Sequence, residues 1–182
     1  MKPFFAVHGG EYLVGSEIER RFPKANVWVP SKDTGIDLLV SDSKNRRTCS
    51  LQVKFSKDFL VTEMGPEFQS SLRACGWWTL RRDKIESSAA DYWVMVLMGF
   101  ERKTTDFVLI PTRQLLRRLV VIHPHQSRLQ VYLWVTNRNR CWETRDLKKA
   151  DQLLVAHGEF DDGTRDFTEW LNVWTPLSSL NH

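Results

Sequence analysis

The chain has 182 residues, 42% of them hydrophobic and 26% charged, a length and balance that suit one globular domain with a sizeable core, with two small ones as the alternative. No run of 18 apolar residues occurs, so neither a membrane-spanning helix nor a membrane partner is expected. The opening stretch, residues 1–10, is too short for a signal peptide's apolar region, which makes a cytoplasmic protein the expectation. Cys49, Cys75 and Cys141 are widely separated and read as buried thiols rather than a disulfide framework or a zinc knuckle. The formal charge of +4 is compatible with a nucleic-acid partner. Arginine outnumbers lysine and comes in pairs at Arg20-Arg21, Arg46-Arg47, Arg81-Arg82 and Arg117-Arg118, a bias towards phosphate because the planar guanidinium fork suits it.

A helix is predicted from Glu11 to Phe22. Val14, Ile18 and Phe22 recur on one stripe beside Gly15, and at helical spacing Glu11 falls on that stripe as well. An acid on a core-facing side is costly without a metal or a cation; the other reading is a first-turn acid favoured by the helix dipole. Glu17 and Glu19 lie off the stripe as surface acids. Residues 26–30 form a first strand stopped by Pro30. Residues 31–35 make a turn, with Asp33 as turn chemistry or an auxiliary ligand.

Residues 36–57 read as a β-hairpin, two apolar runs around a polar segment rich in Asn, Arg and Lys. Alternation puts Gln52, Lys54 and Ser56 on one face and Leu51, Val53 and Phe55 on the other, towards a core. A two-residue turn at Asn45-Arg46 sets Asp37 opposite Lys54, and a longer turn shifts that pairing. An acid, an amide oxygen and an ammonium then converge on one sheet edge. This set suits a hard divalent cation such as magnesium, with the lysine positioning an attacking water or stabilising phosphate charge. The same spacing also fits the solvated face of a hairpin.

After residues 57–65, which carry no clear pattern, Gly65-Pro66 marks a break. Phe68, Leu72 and Cys75 follow at helical spacing, with Gly76 as the stop. Trp77 and Trp78 precede the charged run from Arg81 to Lys84; they either stack on unpaired bases or sit in the core. Residues 91–98 have the continuous apolar character of a central strand covered on both faces. Another strand follows at 106–111, then a short basic helix at 114–119, giving a mixed sheet with helices on its faces. Residues 120–122 and 129–135 read as strands around a turn at 123–127. His123 and His125 have the spacing of a zinc pair but lack further ligands, so a polar loop is favoured. Residues 137–140 suggest a basic loop near substrate. Residues 146–157 have helical periodicity ended by Gly158, and Phe167, Trp170, Leu171 and Trp174 form a last apolar segment.

The run Gly35-Ile36-Asp37-Leu38-Leu39-Val40, followed by Leu51-Gln52-Val53-Lys54 and preceded by Gly10-Glu11, resembles the PD-(D/E)XK nuclease superfamily. Asp37 matches its strand-leading acid, Lys54 its lysine, and Glu11 the acid on its preceding helix; Gln52 stands where the family more often has Glu or Asp. The resemblance implies an α/β fold with a restriction-endonuclease-like core at about 10–119, a mixed β-sheet flanked by helices, and a C-terminal α/β extension at about 120–182, all in one domain. It implies a metal-dependent DNA endonuclease with Glu11, Asp37, Gln52 and Lys54 as catalytic residues. The first three would hold Mg²⁺, with Mn²⁺ as substitute, while Lys54 orients the water. Arg46, Arg47, Ser56 and Lys57 are the expected substrate contacts, Ser56 also supporting Lys54. DNA is the expected partner, and a homodimer would allow double-strand cleavage. The alternative is a DNA-binding or assembly module of the same fold without turnover.

Overall fold

The computed structural model describes residues 9–32, 34–59, 65–100 and 102–182. Asp33 and most of the unpatterned stretch before Gly65 lie outside these residues, as does nearly all of the start considered for a leader. Helix α1 (Gly9–Arg21) buries Gly10, Glu11, Val14 and Ile18, the predicted stripe. It is followed by β1 (Asn26–Trp28), β2 (Leu38–Ser41) and β3 (Thr48–Ser56), an antiparallel meander. The later elements are α2 (Pro66–Gln69), β4 (Leu72–Arg81), α3 (Arg82–Glu86), β5 (Tyr92–Gly99), β6 (Thr104–Pro111), α4 (Thr112–Ile122), β7 (Arg128–Thr136), β8 (Cys141–Glu143) and α5 (Lys149–His157). Two short 3₁₀ helices, Thr168–Trp170 and Thr175–Leu180, end the chain.

The strands form two sheets. Five lie in the order β1-β2-β3-β5-β6 and three in the order β4-β7-β8. The larger sheet is mixed, because β3 and β5 are parallel while its other neighbours are antiparallel. A parallel pair needs a crossover connection, and here that connection passes through β4 in the second sheet. Strand β5 is apolar on both faces for this reason. Val94 and Val96 pack towards α1 and the C-terminal Trp174 and Leu177, while Met95 and Leu97 pack towards Ala74, Trp78 and Val131 of the second sheet. Each such aliphatic side chain stabilises the fold by about 1.5–3 kcal/mol. The second sheet's outer side is covered in part by α5, through Cys75, Trp134, Val155 and Ala156. The chain is therefore mixed α/β, with helices flanking the sheets. No helix among the described residues is long and apolar enough to cross a membrane.

Two predicted elements are corrected. The helix read through Cys75 is a single turn, α2, after which the chain extends into β4. Ala74, Trp78 and Leu80 enter the core between the sheets and Cys75 the core under α5, so two-sided burial hides the strand's alternation. Gly76 does not stop a helix; it makes room for Trp78, whose ring would collide with a Cβ at this position. Residues 120–122 are not a strand but the last turn of α4, in which Ile122 continues the stripe of Leu115 and Leu119 and Val121 is exposed, despite their β-branched side chains.

Candidate active site

Asp37 immediately precedes β2. Gly35, two residues earlier, has φ +80°, a left-handed conformation that glycine adopts without penalty. The Asp37 N–H donates to Leu51 O at 2.8 Å, extending the Leu38↔Leu51 register and setting Asp37 opposite Gln52 rather than Lys54. The reason is the turn. It spans residues 42–47, closed by the Arg46 N–H on Asp42 Oδ1 at 2.8 Å and by Asn45 at φ +54°. Directly opposed side chains share a face, and Asp37 Oδ2 accepts hydrogen bonds from Gln52 Nε2 and from the Val53 N–H.

Glu11 arrives from the other side of the strand pair. The first turn of α1 rests against β3 so closely that a Cβ on Gly10 would lie 2.7 Å from Phe55 Cβ and 3.3 Å from Val53 Cγ1. Only glycine permits that approach, and it delivers Glu11, 4% exposed, to the cleft that Asp37 enters. Phe55, expected in the core, is 43% exposed beneath this helix end. Lys54 points towards β5, with Nζ 5.5 Å from the Trp93 ring centroid, a cation–π contact. The Trp93 Nε1–H donates to Ser88 Oγ at 3.2 Å.

These four side chains line one cleft of about 1050 Å³. The cleft is also lined by Thr79 and Arg81 of β4, Lys84 of α3 and residues 87–89. Arg81 is also held by Asp83 at 2.6 Å. Two carboxylates and an amide lie at the β3 side and three cations around them, which is the charge arrangement for a divalent cation plus a phosphate. The donor set fits magnesium, a hard ion that takes oxygen ligands and keeps several waters. Gln52 turns its amide N–H to Asp37, so coordination through Oε1 requires a half-turn of that amide. Among the described residues no cluster of three His, Cys, Asp or Glu is placed for a metal; the candidate set has two acids and an amide.

The expected substrate contacts do not gather here. Arg46 and Arg47 sit at the hairpin tip, where Arg47 pairs with Asp42 at 3.3 Å. Six residues separate Thr48 from Lys54, about 20 Å of strand. Ser56 does not support Lys54: its Oγ donates to Lys57 O at 2.9 Å and accepts the Trp77 N–H at 3.0 Å. Lys57 is exposed, with Nζ 5.1 Å from the Phe59 ring centroid. The loop at 137–140 lies by Ser70 and Ser71, at the opposite end of β4 from the cleft. His123 is buried 3.8 Å from Glu143, while His125 is exposed, so the histidines do not converge. Arg81 and Lys84 are the cleft cations that motif reading did not assign. Their charged run is visible in the sequence, but its meeting with β3 depends on the crossover.

The thiols take no part. Burial, with Asp91 nearby, pushes the Cys49 thiol up to about 12, and burial raises Cys75 and Cys141 well above the usual thiol range. A thiol held protonated is a poor nucleophile. No protein-family model, curated protein or solved structure matches this chain.

Proposed function

We propose that the chain is a metal-dependent DNA endonuclease built on a restriction-endonuclease-like core. The observation that carries this reading is the convergence of Glu11, Asp37, Gln52 and Lys54 on one cleft wall from two strands and a helix end. The order of helix, three-stranded meander, crossover and parallel fourth strand supports it.

In this reading the carboxylates of Glu11 and Asp37 and the amide oxygen of Gln52 hold Mg²⁺. The bound ion supplies Lewis-acid polarisation of the scissile phosphate and a lowered pKa for a coordinated water. Lys54, steadied over Trp93, orients the attacking water and balances charge on the phosphate. Arg81 and Lys84 of the same cleft take the neighbouring phosphates, fixing the backbone without reading sequence. Cleavage of both strands at one site calls for two copies of this single cleft.

A DNA-binding module without turnover is the second reading. It is favoured by one contact: Gln52 donates to Asp37 instead of presenting its oxygen. Incubating supercoiled plasmid with the wild type, Asp37→Ala and Lys54→Ala, in Mg²⁺ or Mn²⁺ and in EDTA, separates the two. Metal-dependent nicking lost in both variants is the expected result. Equal inertness of all three proteins, with DNA binding retained in EDTA, would establish the module.

A further inference from the structure

We propose that the exposed indole of Trp77 is a stacking site for an unpaired nucleotide, so that the cleft takes single-stranded or frayed DNA. The proposal deepens the nuclease reading and rests on it for the position of the scissile phosphate.

Alternation along β4 sends the adjacent tryptophans to opposite faces. Trp78 enters the core between the sheets, whereas Trp77 faces out, 43% exposed, although a buried tryptophan contributes among the largest apolar areas of any residue. Its position is nevertheless fixed. The Trp77 N–H donates to Ser56 Oγ at 3.0 Å, tying it to the end of β3 two residues beyond Lys54. The Phe59 ring meets it edge to face at 5.9 Å and 76°. A held aromatic with an open face is the element that single-strand binding surfaces use, because every base has a π-face and an ordered ring loses little freedom on stacking.

The surroundings match a nucleic-acid strand in charge. Lys57 lies over Phe59. Thr79 and Arg81, the next side chains on the Trp77 face, line the cleft itself, spaced about 7 Å apart along the strand. Arg128 is directly opposite Arg81 on β7. Of the nearby carboxylates, Asp83 is paired with Arg81 at 2.6 Å and Asp58 is buried, accepting the Phe100 N–H at 2.8 Å. A path from Trp77 past Thr79 and Arg81 to Lys54 thus has an aromatic ring at one end and an ammonium at the other. In a duplex both faces of each base are covered by its neighbours, so the indole selects unpaired nucleotides.

The test measures binding of a fluorescein-labelled oligothymidine, and of a blunt duplex of the same length, in EDTA, for the wild type, Trp77→Ala, Trp77→Phe and Lys54→Ala. One stacked base corresponds to roughly a 5- to 100-fold loss of oligothymidine affinity in Trp77→Ala. Trp77→Phe should retain most of the affinity, and duplex binding should be unchanged in both. The proposal is overturned if the wild type does not bind the oligonucleotide, if Trp77→Ala binds it like the wild type, or if single-strand and duplex binding fall together. Cleavage of the same oligothymidine and of plasmid in Mg²⁺ and in Mn²⁺, followed in parallel for the wild type and Asp37→Ala, separates the two readings. Trp77-dependent binding without metal-dependent cleavage leaves the stacking site and removes the nuclease; Asp37-dependent cleavage with Trp77-independent binding does the reverse.

Discussion

Gly10→Ala tests whether the helix end, rather than the acid alone, builds the candidate site. The added Cβ would lie 2.7 Å from Phe55 Cβ and 3.3 Å from Val53 Cγ1, whereas carbon atoms pack best at about 3.5–4.0 Å. The first turn of α1 must therefore retreat by about 1 Å, and Glu11, the next residue, moves with it. Overpacking of this kind costs about 1–3 kcal/mol, offset by the gain of about 1 kcal/mol for alanine over glycine in a helix. Stability should fall by about 0–2 kcal/mol, read as a lower urea midpoint with an unchanged slope. Cleavage should suffer more, because a misplacement of about 1 Å can cost on the order of 100-fold. Single-turnover nicking at saturating Mg²⁺ measures this. Phe55→Ala keeps the clashing Cβ and should not rescue the variant, whereas Phe55→Gly removes it and should restore part of the rate. Cleavage by Gly10→Ala within about threefold of wild type, with Glu11→Gln inactive, would refute the positioning argument.

Gln52→Glu places an acid beside Asp37 but removes the N–H that Asp37 accepts. The metal-free protein should lose about 1–3 kcal/mol and regain stability in Mg²⁺; melting temperatures with and without the ion check this, and equal shifts for wild type and variant would contradict it. The three buried cysteines, with Cys49 pushed up to about 12, should resist a thiol reagent in the native protein and react fully in urea; prompt native labelling would count against the packing described. The Arg46 N–H, then the Arg47 side chain, hold the Asp42 carboxyl below the usual range. Its contribution to stability is therefore complete above the unfolded value of about 3.9 and fades as pH falls through the folded one. Urea midpoints of wild type and Asp42→Asn should differ near neutral pH and converge in acid, and a constant difference would show that another group is responsible. Truncation after residue 119 removes Leu129, Val131, Leu133, Val135, Phe167, Trp174 and Leu177 from the two cores. At about 1.5–3 kcal/mol each the loss totals about 10–21 kcal/mol, comparable to or above the stability of a whole domain, about 5–15 kcal/mol, so the fragment should lack a cooperative transition.

Sequence reading reached the candidate site because its signals are local. Glu11 is found by helical periodicity, and Gln52 and Lys54 by their alternate places on one strand. The partner of Asp37 lies two residues from the one a tight turn predicts because register depends on turn chemistry, and Asp42 and Asn45 shape a six-residue connection that composition alone does not distinguish from a tight one. Strand β4 escapes because its first half, Leu72 to Gly76, is buried with little alternation, and because Phe68, Leu72 and Cys75 happen to fall at helical spacing. Val120, Val121 and Ile122 misled in the opposite sense. Their β-branching favours strands, but the stripe of Leu115 and Leu119 carries the helix through them.

What no local signal supplies is the part of the cleft lined by β4 and α3. Parallel pairing of β3 with β5 obliges the chain to leave the larger sheet and return, and it does so through β4 and α3, which bring Arg81 and Lys84 to the cleft that Lys54 lines. The position of that part is set by sheet-on-sheet packing, in which Trp78 and Leu80 meet Trp93 and Met95, and by β7, whose register with β4 runs from Leu129 opposite Leu80 to Thr136 opposite Leu72. The C-terminal residues are thus part of the cleft's architecture even where they do not line it. A substitution in β7 that shifts β4 would change the distance between Arg81 and Lys54 while leaving Asp37 and Gln52 in register. The pair of Asp37 and Gln52 is held by one hairpin; Arg81 and Lys84 are held by the whole fold.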